Sequence, residues 1–419
     1  MERRDFLVQA GVSGLAGVSR LAGVSGLAGV VGGGCSKSHR AARSRAEAGA
    51  RAGEARRRRP AAGAFRVVEA RGTPFEVGGA MGAAARGRIH KLIERRGKWF
   101  AGLKRFALKD RAQRVDGFVA ATKRHHPDLW AEVKGIAKGA QRPLDDILVL
   151  NLQPELSGLR HQCGCGNCST LHLVDGKRIF LAHNEDDHDA SRDLMLLVRA
   201  RPNGKPSFVS LAYPGIVPGN VPAMTSAGLV QTTNYIGAAK VEVGVPRYVV
   251  GRSILAARTL DEALRLARTA HGAYSFHVNL GSRREGRLVS LELGPGGVSD
   301  LRETRGEVYV HTNHYVLPKT RAEVPQIRVE PGGSSDSRYR ILRRAVANLP
   351  ALGRVGPGTL VRLLSSHEAI RQPYAPCRHP KGAVQGRTVA TALFDVTAGT
   401  FSLYEGNPCE GRRRQIRLP

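Results

Sequence analysis

Aromatic residues are scarce in this chain: Phe, Trp and Tyr make up 5% of its 419 residues. A large interior must therefore be filled by Val, Leu and Ala, and the 42% hydrophobic content is sufficient for one. Cysteine is scarce too. The six cysteines, Cys35, Cys163, Cys165, Cys168, Cys377 and Cys409, are too few and too unevenly spaced for the disulfide framework of so long a chain. One late pair, Cys377 with Cys409, could close in an oxidising compartment. Acidic residues are the third shortage: 35 Asp and Glu stand against 65 Lys and Arg, a net charge of +30. No basic stripe interleaved with aromatics and no nucleic-acid module accompanies that charge, so no nucleic-acid partner is expected. No cofactor is expected either.

Part of the charge excess is local. Residues 36–60 hold nine Lys and Arg against Glu47 and Glu54, in a Gly/Ala/Arg segment without hydrophobic period, which reads as a disordered linker over 36–63. Ahead of it, Arg3-Arg4-Asp5-Phe6-Leu7 resembles a twin-arginine export motif and opens a leader over 1–35. A weakly apolar stretch then reaches Val31-Gly32-Gly33-Gly34-Cys35, which resembles a lipoprotein processing site. Export to the periplasm, or a membrane tether through a lipidated Cys35, is the expectation. No later segment has the length of a transmembrane helix.

Residues 64–167 read as mostly helical after a short start. Leu129, Val133 and Ile136 share one helical face, and a second apolar helix begins after Pro143. From residue 168 onward the texture changes to short apolar runs bounded by turn residues, at about 207–211, 228–233, 275–280, 288–293, 308–312, 389–394 and 401–404. Two helical blocks interrupt them. One spans about 247–270, with Thr259-Leu260-Asp261-Glu262 as a capping box; the other spans about 337–369, broken at Pro350 and Pro357. The pattern argues an α+β body with antiparallel sheets.

The most informative segment runs from Cys168 to Asp186. It reads as an apolar strand, a turn at Asp175-Gly176, and a returning strand carrying Asn184 and Asp186. A hairpin brings its two ends together, so the spacing can set a carboxylate beside a thiol, an arrangement suited to nucleophilic catalysis.

That run resembles the acyl-coenzyme A:6-aminopenicillanic acid acyltransferase family, peptidase C45-like N-terminal nucleophile (Ntn) hydrolases. The similarity continues at Ser226-Ala227-Gly228-Leu229, Asn234, Asn279, His311-Thr312-Asn313-His314, Ser337-Arg338-Tyr339 and Thr388-Val389-Ala390, and covers roughly 64–419. It implies a four-layer αββα sandwich over 168–419, with 64–167 as a pro-segment or small chain. It implies self-cleavage of the Asn167–Cys168 bond. The freed α-amine, with an ordinary pKa near ~8, would then serve as base for its own thiol. Asp186 would orient that amine, Asn234 and Asn279 would supply the oxyanion donors, and Arg338 would steady charge around the amine. Asn184 would be structural, and His314 and His379 match motif positions without a legible role. The residue before the nucleophile is usually Gly in the family and is Asn167 here. The partner would be a small-molecule amide or acyl donor, acyl-coenzyme A among the candidates. Two other readings stand beside this one: a metal or redox site at Cys163, Cys165 and Cys168, and a non-catalytic surface lipoprotein that keeps the fold.

Overall fold

The computed structural model describes residues 65–160, 167–269, 271–325, 330–349, 355–369 and 374–418. The expected leader, Cys35, the basic linker, Cys163 and Cys165 lie outside the described residues.

Two sheets form the centre. The first has the order β1 (Arg66–Gly72), β4 (Leu196–Pro202), β5 (Phe208–Ala212), β6 (Ala223–Thr225), β7 (Leu229–Tyr235), β8 (Phe276–Ser282), β9 (Arg287–Leu293) and β10 (Ser299–Glu303). The second has the order β11 (Val308–His311), β2 (Asn167–Asp175), β3 (Arg178–His188), β12 (Gly386–Asp395), β13 (Thr400–Glu405) and β14 (Arg413–Ile416). Within both sheets neighbours run antiparallel except β1 and β4, which are parallel. The inner faces meet through residues such as Leu181, Leu197, Val209, Leu211, Phe394 and Phe401.

Helices cover both outer faces. The eight-stranded sheet carries α1 (Pro74–Arg95), α2 (Gly97–Lys109), α3 (Gly117–His125), α4 (Pro127–Ala140), α5 (Leu144–Asn151) and α6 (Gln153–Leu159), then α7 (Arg247–Ile254) and α8 (Leu260–Ala267). After the short α9 (Pro318–Glu323), α10 (Ser334–Ala347) and α11 (Pro357–Leu364) cover the six-stranded sheet, where Leu342, Leu360 and Leu364 pack on Leu171, Leu173, Phe180 and Ala182. The result is an α+β sandwich of four layers, αββα.

Low aromatic content is met as composition requires: the layers close on aliphatic side chains, many fully buried. The expected 247–270 block is two helices. Thr259 caps α8 by accepting from the Glu262 N–H at 3.1 Å, while the Glu262 carboxylate accepts from Arg258 N rather than closing a box with Thr259. The block expected over 337–369 is likewise two helices, with α10 ending at Ala347 and Pro357 as the first residue of α11; Pro350 lies outside the described residues. Strands β1, β4, β6, β10 and β14 had no clear apolar alternation. Several lie at sheet edges, where one flank is solvated.

The segment before Cys168 is built into the body. β1 extends the eight-stranded sheet, and α1 crosses α4 at backbone contact, with Gly78 and Gly82 against the Glu132 and Ile136 carbonyls and Gly135 and Gly139 against those of Phe75 and Gly79. A methyl group on Gly82 would overlap the Ile136 carbonyl. α4 is tied in turn to α7 by a buried bidentate ion pair, Arg252 to Glu132 at 3.0 and 2.8 Å. Gly82→Ala is expected to force α1 off α4 and lower stability by about 1–3 kcal/mol, read from the urea-unfolding midpoint. An unchanged midpoint would show that the helices have slack at this crossing.

Candidate active site

The β2–β3 hairpin closes around Gly176-Lys177, with Gly176 at φ +58°, and pairs Asp175 with Arg178. That register sets Cys168 opposite Glu185 and Asn167 opposite Asp186. Directly paired residues point to the same face and successive residues to opposite faces. The thiol therefore shares its face, toward the eight-stranded sheet, with Glu185. Asp186 points to the other face, under α10 and α11. The expected thiol–Asp186 juxtaposition is corrected accordingly: the carboxylate on the thiol's own face is Glu185, and Asp186 approaches through the backbone side.

Cys168 is 4% exposed and lines a cleft with Glu185, Tyr213, Tyr235, Arg247 and Tyr248. Its Sγ lies 3.9 Å from Glu185 Oε2. The Glu185 carboxyl is held by the Tyr213 hydroxyl at 2.8 Å and by His183 Nε2 at 3.2 Å, and His183 Nδ1 meets Thr170 Oγ1 at 2.8 Å. Burial pushes Glu185 up to about 8, with Asp187 adding to the rise and Tyr213 opposing it. The thiol is raised well above its ordinary value, first by burial and then by the nearby Glu185 and Asp186; Arg338 and the Tyr235 backbone N–H act in the opposite direction. His183 falls to about 3 through burial and stays neutral. Cys168, His183 and Glu185 offer atoms within 4.8 Å of one another, the one constellation at this site with metal-ligand chemistry among the described residues.

The Cys168 peptide is gripped from both ends. Its N–H donates to Asn313 Oδ1 at 2.8 Å and its carbonyl accepts from the Arg338 guanidinium at 2.5 Å. Arg338 is fully buried on the first turns of α10, and also donates to Ser169 Oγ at 2.9 Å, Asn313 Oδ1 at 2.7 Å and Asn167 Oδ1 at 3.3 Å. Burial lowers it to about 10, so it remains a cation at neutral pH. Asp186 is fully buried and is pushed up to about 6 by desolvation, against the pull of Arg338 and Arg378. Its Oδ1 accepts at 2.6 Å from Oγ1 of Thr388, the residue paired with it across β3 and β12. Its Oδ2 has no partner among the described residues.

Asn234, on β7, accepts through Oδ1 from Thr170 Oγ1 at 3.0 Å and Asn279 Nδ2 at 3.1 Å; its buried Nδ2 has no partner among the described residues. Asn279 is placed differently from the expectation. Its Nδ2 donates to Thr232 Oγ1 at 2.9 Å as well as to Asn234, and its Oδ1 meets His172 Nε2 at 2.7 Å. Both amide hydrogens are engaged in a polar layer between the sheets, so Asn279 supports Asn234 rather than offering a donor to a reacting group. Asn184 donates to the Leu364 and Pro376 carbonyls at 2.9 Å each and is structural. His314 lies under α10 with its Nδ1 2.8 Å from Ser335 Oγ. Cys377 and Cys409 are free thiols with Sγ atoms 3.6 Å apart, not a disulfide.

Glu185, Tyr213 and Asn313 are the site residues that sequence reasoning passed over. Asn313 stood within the quoted His-Thr-Asn-His run. Glu185 was recoverable from parity: any two-residue hairpin turn pairs an even-numbered residue of β2 with an odd-numbered one of β3, so Cys168 faces 183 or 185 and never 186. Tyr213 comes from the other sheet and carries no local signal.

The profile of the acyl-coenzyme A:6-aminopenicillanic acid acyl-transferase family matches residues 174–410. The chain belongs to this family. Among curated relatives, the beta-alanyl-dopamine/carcinine hydrolase of Drosophila melanogaster is 25% identical over 391 residues, covering 84% of this chain and 95% of that protein. The 40 kDa form of acyl-coenzyme A:6-aminopenicillanic-acid-acyltransferase of Emericella nidulans is 26% identical over 253 residues, covering 60% and 69%. Among solved structures, a conjugated bile acid hydrolase from Clostridium perfringens aligns with a TM-score of 0.41 at 10% identity, covering 60% of this chain and 92% of that one. This family member is an enzyme of carbon–nitrogen amide bonds, a hydrolase or an N-acyltransferase.

The raised carboxyl groups carry a stability consequence. Glu185 has an ordinary pKa near ~4.3 when unfolded and about 8 when folded, so the folded chain takes up a proton between those values. Its contribution to stability is fully present below pH ~4.3 and is lost as pH rises through about 8. Asp186 acts in the same direction up to about 6. In Glu185→Gln the Glu185 contribution is absent, so the variant is expected to gain on the wild type, by on the order of a few kcal/mol, between pH 5 and pH 9 in urea unfolding. A difference constant across that range would rule the shift out.

Proposed function

We propose that Cys168 is the nucleophile and becomes an N-terminal residue by self-cleavage of the Asn167–Cys168 bond. One observation carries this reading: a single residue presents its sulfur to the cleft while its peptide nitrogen is held by Asn313 and its carbonyl by Arg338. In the uncut chain the thiol is kept protonated by burial, which suits a latent state. On cleavage the sulfur attacks the Asn167 carbonyl carbon, and its proton passes through the Glu185 carboxyl group. The carbon–nitrogen bond breaks, the nitrogen takes up the proton, and a thioester joins Asn167 to the sulfur. Water hydrolyses that thioester, leaving an Asn167 carboxylate and a free thiol beside a new α-amine.

The mature site then repeats the chemistry on a substrate. The α-amine takes the thiol proton, the sulfur attacks the substrate carbonyl, and the amine leaves with that proton. Asp186 Oδ2, buried and without a partner among the described residues, is the acceptor suited to orient the α-amine. Asn234 Nδ2 and the Tyr235 N–H are the donors suited to the developing oxyanion. Water or an amine resolves the thioester, giving hydrolysis or acyl transfer. The substrate is a small amide or acyl donor; the Drosophila relative is named for beta-alanyl-dopamine and carcinine and the Emericella relative for acyl-coenzyme A and 6-aminopenicillanic acid. The Arg3-Arg4 leader and Cys35 support export and a lipid tether for the enzyme.

Leu92, Arg96 and Gln153 help wall the cleft, and β1 belongs to the central sheet, so the segment ahead of Cys168 is expected to stay bound after cleavage. Intact-mass analysis of the wild type should give two chains, the larger starting at Cys168, that migrate together under native conditions. Cys168→Ala should give one chain. A wild type that remains uncut yet cleaves amides would overturn the N-terminal mechanism. Asn234→Ala in the cleaved enzyme is expected to lower kcat by roughly 10²–10³-fold with little change in KM; a loss confined to KM would instead assign Asn234 to substrate binding.

A further inference from the structure

Away from the Cys168 cleft, three separate stretches of chain bring two thiols and two imidazoles together. Cys377 and His379 lie in the turn before β12, His367 follows α11, and Cys409 follows β13. One ligand atom from each falls within 4.8 Å of all the others. The separations are 3.6 Å for Cys377 Sγ to Cys409 Sγ, 3.6 Å for Cys377 Sγ to His379 Nε2, 3.5 Å for Cys409 Sγ to His379 Nε2 and 3.2 Å for His367 Nε2 to His379 Nε2.

Those four lengths are four of the six edges of a tetrahedron, and the other two, from His367 to the two sulfurs, are within 4.8 Å. With zinc–sulfur bonds of about 2.3 Å and zinc–nitrogen bonds of about 2.0–2.1 Å, tetrahedral geometry requires edges of about 3.8 Å between sulfurs, 3.5 Å between sulfur and nitrogen, and 3.3–3.4 Å between nitrogens. A disulfide does not reproduce this set: it would bring the sulfurs to about 2.05 Å and leave the imidazoles unconstrained. The surroundings are those of a ligand set held in place. Asn407 Nδ2 donates to Cys377 Sγ at 3.3 Å and to the Arg378 carbonyl at 2.7 Å, which supports both the thiolate and the turn that carries it.

We propose that His367, Cys377, His379 and Cys409 form a structural zinc site of the Cys2His2 type. All four positions are filled by protein, so the site is closed to substrate and serves the fold. Binding requires both thiols to lose their protons and the imidazoles to be neutral. The turn that the metal closes also carries Arg378. The Arg378 N–H donates to Thr388 Oγ1 at 2.9 Å, its carbonyl accepts from Thr388 N at 3.0 Å, and the Thr388 hydroxyl donates to Asp186. The zinc would thus brace the strand and turn behind Asp186 from outside the cleft. The proposal does not depend on Cys168 being the nucleophile.

The test is metal analysis of the full chain purified under reducing conditions after incubation with zinc and removal of the free ion. The expected result is about one zinc ion per chain, retained in Cys168→Ala and absent from the Cys377→Ser/Cys409→Ser double variant. Because the double variant could misfold for other reasons, cobalt(II) is also loaded into the wild type; visible bands of tetrahedral cobalt with a near-ultraviolet thiolate charge-transfer band are expected. Three results would overturn the proposal. One is a reduced wild type that binds no zinc. Another is zinc lost in Cys168→Ala but kept in the double variant, which would place the metal in the cleft. The last is a Cys377–Cys409 disulfide that persists through reduction and excludes metal.

Discussion

A fully buried guanidinium must find acceptors in the interior, and Arg338 finds them on the backbone and side chains around Cys168. That requirement ties three elements together. The start of β2 supplies the Cys168 carbonyl and the Asn167 and Ser169 side chains; the turn after β11 supplies Asn313; and α10 supplies Arg338 itself. The counter-charge of this cation is Asp186, and these neutral groups accept its hydrogen bonds, so displacing one leaves a buried donor to be satisfied elsewhere. The cleft is therefore positioned by the same contacts that hold the helical layer on the six-stranded sheet.

Two neighbouring carboxyl groups meet different surroundings because a strand sends successive side chains to opposite faces. Glu185 faces the thiol in company with Tyr213 and His183; Asp186 faces Arg338, Arg378 and Thr388. Burial raises both, but the cations near Asp186 hold it lower, about 6 against about 8. Different environments thus separate the acid–base properties of two adjacent residues. On the proposed mechanism the group nearer the sulfur carries the proton, and the group with an unfilled oxygen awaits an amine.

The polar layer between the sheets is the other unusual element of the architecture. Thr170, His172, Thr232, Asn234, His277 and Asn279 are buried where Leu181, Val209 and Phe394 fill the rest of the interface. Buried polar groups are tolerated when their partners are supplied, and this network supplies nearly all of them. Its single open donor, Asn234 Nδ2, lies on β7 directly before Tyr235, whose backbone N–H lowers the thiol.

Much of this was legible in the chain before folding. The switch from helical periodicity to short apolar runs at residue 168 marks where the second sheet begins, and the Cys168 hairpin, Arg338 and the family motifs point to the site. Local signals of that kind survive because helix faces, hairpin turns and strand cores depend on neighbours in sequence. The amphipathically weak strands β1, β4 and β10, the face on which each carboxyl group falls, the engagement of Asn279 and the approach of Tyr213 were decided only by tertiary structure. So was the meeting of His367, Cys377, His379 and Cys409. These depend on the register between strands and on contacts between separate elements, and no local preference of the chain encodes which side chain of another element completes a buried hydrogen bond.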